Sequence, residues 1–192
     1  FFLNRKVWCA SSTHAGEEFI CMKVHKILKK KYKNLLSIII PRHIDRSKEL
    51  IEMYRNHNLK VHCHSWKNKK LNKIDIYLVD TYGETEKFFN LVKTVFVGGS
   101  LINHGGQNPL EPARHGCKVL HGPYVNNFKN IYNYLNKIQV SKKIESEKSL
   151  KKNIEILITN KKNTKYLIKK VKKLGDKILI NAKKEIEDTI TK

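Results

Sequence analysis

Apolar residues along this chain fall into short dense blocks separated by stretches in which they recur every three or four positions. Six blocks read as strands: Lys6–Ser11, Leu35–Pro41, Leu59–Ser65, Ile74–Thr81, Thr94–Gly99 and Lys118–Gly122. Several are apolar at consecutive positions, because a strand covered on both faces has no polar side to alternate with. Between the blocks, Gly16–Tyr32 carries Phe19, Ile20, Val24, Ile27 and Leu28 at helical spacing. Asp45–Asn58 opens on Asp45 as a cap and carries Leu50, Ile51 and Tyr54. The lysine-rich segment Ser141–Lys162 holds a helix around Leu150–Ile158. The last stretch places Leu167, Val171, Leu174, Ile178, Ala182 and Ile186 on one stripe of a long helix over 164–190. Strands alternating with helices predict an α/β fold, a Rossmann-like parallel sheet with helices on both faces, over residues 1–162. Residues 163–192 are expected to form a C-terminal amphipathic helix whose far end docks on another domain.

Composition narrows the field only slightly. With 192 residues and 40% hydrophobic content the chain can bury a real core. The balance of 39 Lys+Arg against 17 Asp+Glu gives +22, which opens polyanion binding as one class of function. The charge is almost all lysine, however, and the arginines are Arg5, Arg42, Arg46, Arg55 and Arg114 alone. Lysine in the company of abundant Asn and Ile is also what a coding bias would produce, so the excess is first a solvated surface, and nucleic acid is not an expected partner. Cys9, Cys21, Cys63 and Cys117 form no C-x-x-C pair and read as buried small hydrophobes of a reducing compartment. No metal is expected: His62 and His64 share a strand face but lack a third ligand at usual spacing. No apolar run approaches the roughly 20 residues that span a bilayer, and the chain, which starts at Phe1 without a methionine, reads as a piece of a longer protein.

In a sheet of this kind ligands sit beyond the C-terminal ends of the strands. Polar residues and glycines gather at those ends: Ser11 to His14, then Arg42 and His43, then Asp80 to Glu84 with Tyr82 and Gly83 between, then Gly98, Gly99 and Ser100, then Gly122. After the fifth block comes "HGGQNPLEPA". There Asn108 and Pro109 suit a helix start, and Gly105 and Gly106 permit close backbone approach to an anion. Glu111, in the first turn, either complements the helix dipole or accepts hydrogen bonds from a ribose diol. Arg42 offers the fork that suits carboxylate and phosphate, and His14 and His43 either bond ligand oxygens or serve the structure.

The strings "ASSTHAGEE", "IIIPRH", "DTYGE", "VFVGGSLINHGGQNPLEPARHGCKVLHGP" and "NFKNI", in this order from about Val7 to Ile131, resemble the C-terminal domain of the Kdo (3-deoxy-D-manno-octulosonic acid) transferases of lipopolysaccharide synthesis. The resemblance implies the C-terminal half of a two-domain GT-B-type inverting glycosyltransferase that takes Kdo from CMP-Kdo. It needs no cofactor, and it works on the cytoplasmic face of the bacterial inner membrane against an anionic lipid surface. It further implies that the N-terminal half supplies the general base and binds the lipid A precursor, so that no catalytic residue is assigned in this chain. Thr13, Arg42 and His43 would face the donor phosphate or the sugar carboxylate. Tyr82, Gly83 and Glu84 would lie near the base; Gly99, Ser100, Gly106 and Asn108 near the phosphate; and Glu111 on the ribose. The chain departs from the family at Ala15 (usually an acid), Gln107 (usually a histidine), Val79 (usually a glycine) and Tyr124–Phe128 (usually HTFNF). Gln107 cannot titrate, so it transfers no proton. The alternative is a non-catalytic basic α/β module that binds nucleic acid or anionic lipid, which steep salt dependence would reveal.

Overall fold

The structure, a computed structural model, describes residues 2, 4–67, 71, 73–159 and 165–172. Seven parallel strands form one sheet: β1 (Lys6–Thr13), β2 (Leu35–Pro41), β3 (Val61–Cys63), β4 (Ile76–Leu78), β5 (Thr94–Val97), β6 (Lys118–His121) and β7 (Ser141–Lys143). Their order is β3-β4-β2-β1-β5-β6-β7. From β1 the chain lays down β2, passes to the edge for β3, returns to insert β4 between β3 and β2, and restarts beside β1 with β5, so the switch point of the topology lies between β1 and β5.

The helices are α1 (Glu17–Lys31), α2 (Ser47–Asn56), α3 (Thr85–Phe89), α4 (Leu110–Arg114), α5 (Lys129–Lys137) and α6 (Glu147–Thr159). Side chains alternate across the sheet, and both faces are covered. On one face Trp8, Ala10, Leu35 and Ile39 pack with Met22, Val24 and Leu28 of α1 and with Leu150 and Ile154 of α6. On the other, Cys9, Leu36, Ile38 and Val95 pack with Phe88 and Phe89 of α3 and with Tyr132 and Leu135 of α5. All seven residues of β2 are buried, which is why its sequence is apolar at every position but Ser37, whose hydroxyl bonds the buried His25 ring at 2.7 Å. The four cysteines are free and buried.

The six expected strands are present, with ends shifted by a few residues, and the Rossmann-like α/β architecture is as expected. Three details differ. A seventh strand, β7, extends the sheet with Lys142 and Lys143 exposed on its edge. Asp45 does not cap α2: it lies within a single 3-10 turn, Ile44–Arg46, that leads into the helix. α6 starts three residues before the expected Leu150. Residues 165–172 are helical, and Leu167 and Val171 are buried in the α3/α5 face while Lys170 Nζ donates to the Ile138 carbonyl at 2.9 Å. The rest of the expected terminal helix, 173–192, lies outside the described residues.

Candidate functional site

At its C-terminal end β1 leaves regular pairing. Its register with β2 shifts between Ser11 and Thr13, and Ser12 takes a φ of 55°, a left-handed conformation that costs a non-glycine residue roughly 1–2 kcal/mol. The kink ends the strand beside β5 and turns the chain into α1. Glu17, in the first turn of α1, then points into the protein and is 0% exposed. One carboxylate oxygen accepts the N–H groups of His14 (3.0 Å) and Gly99 (2.7 Å), and the other those of Ser100 (3.0 Å) and Leu101 (3.0 Å). The bond from the His14 N–H closes the turn that leads into α1, whereas the bonds to residues 99–101 fasten the loop after β5 to the loop after β1. Room for this comes from Gly98, where a Cβ would stand 2.4 Å from the Ser12 carbonyl oxygen, 2.6 Å from Thr13 Cα and 2.8 Å from Glu17 Oε2.

Above this seam several predicted residues meet. The Arg42 N–H donates to the Thr13 carbonyl at 2.9 Å, bringing the end of β2 against that of β1. Ring centroids of His14 and His43 are 5.7 Å apart, and those of His14 and His104 4.0 Å. Gln107 Nε2 lies 3.2 Å from His14 Nε2, and the Gly99 backbone backs onto the same two side chains. Burial, followed by the charges of His104, His43, Arg42 and Arg46, pushes the His14 pKa down to about 4. His14 is therefore neutral at physiological pH, and Gln107 can donate to its bare nitrogen. Arg42 and His43 are exposed on the rim. Thr13 is fully buried, and next to it the buried Glu18 pairs with Arg46 at 2.9 Å. The result is a crevice with a neutral imidazole at its base and the Arg42 guanidinium at its mouth.

Other expected residues build the wall. Ser100 is fully buried, its hydroxyl donating to the Val97 carbonyl at 2.5 Å and accepting the Gly122 N–H at 2.9 Å. The Gly106 N–H donates to the Gly99 carbonyl at 2.7 Å. With the N–H groups of Gly99 and Ser100 bound to Glu17, these residues shape the loop that lines the crevice, and their backbone donors are already engaged. Gly105 (φ 87°) and Gly106 (φ 75°) lie against Asn127 and Val125, where a Cβ would come within 2.6 and 3.0 Å. Asn108 Oδ1 accepts the Leu110 N–H at 3.0 Å, and Pro109 already has helical dihedrals. The helix that follows has only five residues, little more than a turn, so its dipole is short.

A second group lies on the β4–α3 loop. Tyr82 is 68% exposed, and Gly83 has a φ of 76°. Glu84 pairs with Lys87 at 2.7 Å and faces His64 at 3.7 Å, and Lys87 holds its carboxyl below the ordinary range. Glu111 reaches this loop from α4, its Oε1 accepting the Thr85 hydroxyl at 2.9 Å. The exposed Glu111 carboxylate is thereby oriented on the same side of the sheet as the crevice. His62 and His64 both pack on the Tyr77 ring, at 5.5 and 5.9 Å. Among the described residues no group of three His, Cys, Asp or Glu is placed to hold a metal ion. Glu17, His104 and Gln107 were not among the sequence candidates. Glu17 left only a faint signal, an acid at the start of α1 three residues after a strand-end histidine.

A parallel sheet covered on both faces, with its crevice at the strand ends of the switch point, defines a Rossmann-like domain of the kind found as the C-terminal half of two-domain glycosyltransferases. No family model matches the chain. It is 32% identical over 165 residues to the 3-deoxy-D-manno-octulosonic acid transferase of Haemophilus influenzae and 32% identical over 156 residues to that of Aquifex aeolicus. These matches cover 85% and 81% of this chain but only 39% and 43% of the relatives, so the chain spans less than half of their length. The crystal structure of the C-terminal CMP-Kdo binding domain of WaaA from Acinetobacter baumannii superimposes with a TM-score of 0.82 at 28% identity, covering 90% of each chain. The chain belongs to the Kdo transferase family and corresponds to that C-terminal domain.

Proposed function

We propose that this chain is the donor-binding half of a Kdo transferase, holding CMP-Kdo for transfer to a lipid A precursor bound by an N-terminal half. The observation that carries the reading is the crevice at the β1/β5 switch point, in which Arg42, His43 and His104 ring a neutral His14. CMP-Kdo carries two anionic groups, a phosphodiester and a sugar carboxylate, and an arginine fork with imidazole hydrogen-bonding groups beside it suits both. The un-ionised His14 adds hydrogen bonding to sugar hydroxyls without further charge. Glu111, steadied by Thr85, accepts hydrogen bonds from the ribose diol, and the loop of Tyr82 and Gly83 lies beside the base.

In the transfer itself an acceptor hydroxyl attacks the anomeric carbon of Kdo, its proton goes to a base on the N-terminal half, and the bond to the CMP oxygen breaks with inversion. This domain contributes by stabilising the negative charge that develops on the departing CMP, through Arg42 and the rim histidines. The work takes place on the cytoplasmic face of the inner membrane; no described helix is long and apolar enough to cross a bilayer. Calorimetry with CMP, UMP and AMP tests the reading. CMP should bind most tightly, and Glu111→Gln should weaken it by about 1–3 kcal/mol, the range for hydrogen bonds to a charged group. Deoxy-CMP should lose far less. Equal affinity for the three nucleotides, or equal losses for CMP and its deoxy analogue, would remove the assignment.

A further inference from the structure

All seven strands are parallel, so the sheet has two distinct poles. The crevice occupies one. At the other, where the strands begin, a cavity of about 620 Å³ opens between the entries to β1, β2, β3 and β4. Arg5, Lys29, Lys33, Lys60 and Lys73 line it, and the one acid among its lining residues is Asp75. Lysine also immediately precedes β5, at Lys93, and opens β6, at Lys118.

The walls of this cavity are built rather than loosely draped. Arg5 bridges three backbone carbonyls, of Asn34 (3.2 Å), Leu35 (2.7 Å) and Ile74 (2.7 Å), and so ties the starts of β1, β2 and β4 together. Lys29 donates to the Leu35 carbonyl at 3.2 Å and pairs with Asp75 at 2.9 Å. Asp75 is committed as well: it accepts the Lys60 N–H at 2.9 Å and lies 3.9 Å from the fully buried His25. Burial opposes its ionisation, but His25, the Lys60 N–H and Lys29 hold it well below the ordinary carboxylate range. The single carboxylate is thus saturated by the cavity floor, and among the described residues the side chains of Lys33, Lys60 and Lys73, all exposed at the rim, have no acidic partner. Lysine at the end of α1 is explained by the helix dipole, which favours cations at the carbonyl terminus. That account covers Lys29 but not Lys60 or Lys73, which follow no helix directly. Lys73 even sits at a φ of 62°, a conformation a lysine adopts at a cost.

We propose that this cavity is a second ligand site, separate from the nucleotide crevice, that takes a phosphate-bearing anion of two or more charges between Lys33, Lys60 and Lys73. Its position at the opposite pole means that a ligand here neither competes with the donor nor meets an acceptor at the strand ends. The phosphate could belong to a soluble polyphosphate or to an anionic lipid headgroup, and the chemistry of recognition is shared. The stems of the lysines give the cavity apolar walls, and each ammonium group is a point charge on a flexible stem, a pattern suited to phosphate rather than to planar carboxylate.

The test compares the triple variant Lys33→Ala/Lys60→Ala/Lys73→Ala with a control of equal charge loss on remote exposed helix positions, Lys129→Ala/Lys148→Ala/Lys152→Ala. Both are titrated with pyrophosphate by calorimetry, and with vesicles of phosphatidylcholine containing or lacking phosphatidylglycerol by co-sedimentation. The cavity variant should bind at least about tenfold more weakly in one of these arms, while the control changes by about twofold or less, because only charges in contact with the anion act at short range. A loss with pyrophosphate identifies a soluble ligand, and a loss confined to the anionic vesicles identifies a headgroup. Equal losses in the two variants, or no binding by the unaltered chain in either arm, would overturn the proposal. CMP affinity should be the same in the unaltered chain and the cavity variant, so failure here is distinguishable from failure of the donor-site reading.

Discussion

Replacing Glu17 by glutamine is the sharpest probe of how the crevice is assembled. The carboxylate is fully buried and accepts four backbone N–H groups, two on each oxygen. A glutamine amide has one oxygen and one NH2 group, so in either orientation a pair of N–H groups faces a donor. Two buried N–H groups left without acceptors cost about 1–3 kcal/mol each, or about 2–6 kcal/mol together. That is a large fraction of the roughly 5–15 kcal/mol that holds a domain folded. For a chain of this size it corresponds to a fall in Tm of roughly 5–20 °C. The affected N–H groups belong to His14 and to the loop 99–101, so CMP affinity should fall too, even at temperatures where the variant is folded. Leu157→Ala on α6, which removes a buried side chain of the core at a cost of about 2–5 kcal/mol, supplies the comparison: it should lower Tm similarly and leave CMP binding intact. A Glu17→Gln protein that melts within about a degree of the unaltered chain, or that binds CMP as well as the Leu157→Ala protein does, would refute the reasoning.

Acid stability gives a further measurement. Burial holds the His14 pKa down at about 4 in the folded chain against 6.5 unfolded, so between those values the unfolded chain holds the extra proton and stability falls as pH drops. Urea midpoints from pH 7 to 4 should fall less steeply in His14→Asn, and superimposable profiles would contradict the assigned burial. Two glycines should separate steric from conformational cost. Gly98→Ala drives a Cβ into backbone atoms at 2.4 and 2.6 Å and should cost about 3 kcal/mol or more. Gly83→Ala meets nothing within 4 Å but must hold a φ of 76°, and should cost about 1 kcal/mol in thermal melts. Equal melting losses for the two would show that the packing around Gly98 relaxes freely.

What could be read from the sequence follows from how each element is stabilised. β2 matches its apolar run from Leu35 to Pro41 because both faces are buried, and burial is what hydrophobic pattern reports. β3 and β4 are shorter than their runs because they pair over only three rungs, Val61↔Ile76 to Cys63↔Leu78; Leu59 and Ile74 are buried beyond the ladder. β7 is Ser-Lys-Lys, which carries no apolar pattern at all, and it is held by backbone bonding to β6. α3 and α4, with five residues each, are too short to display a period. α5 is different: Ile131, Tyr132 and Leu135 are correctly spaced and could have been read. Arg42, His43, Thr13 and Gly99 converge because strand ends in a parallel sheet must. Glu17 escaped notice because an acid in the first turn of a helix ordinarily faces water, and its burial depends on a loop contributed by residues 98–101.

The two edges of the sheet carry a consequence for handling the protein at high concentration. An open edge presents unpaired N–H and C=O groups onto which another chain can add a strand. Here each edge strand is three residues long, and β7 displays Lys142 and Lys143 to solvent. A visiting strand would find few rungs and would have to bring its own backbone alongside two ammonium groups. The same lysines that leave β7 almost invisible to pattern reading thus act as its guard against fibre-like growth, at an edge that would otherwise extend the sheet from one molecule to the next.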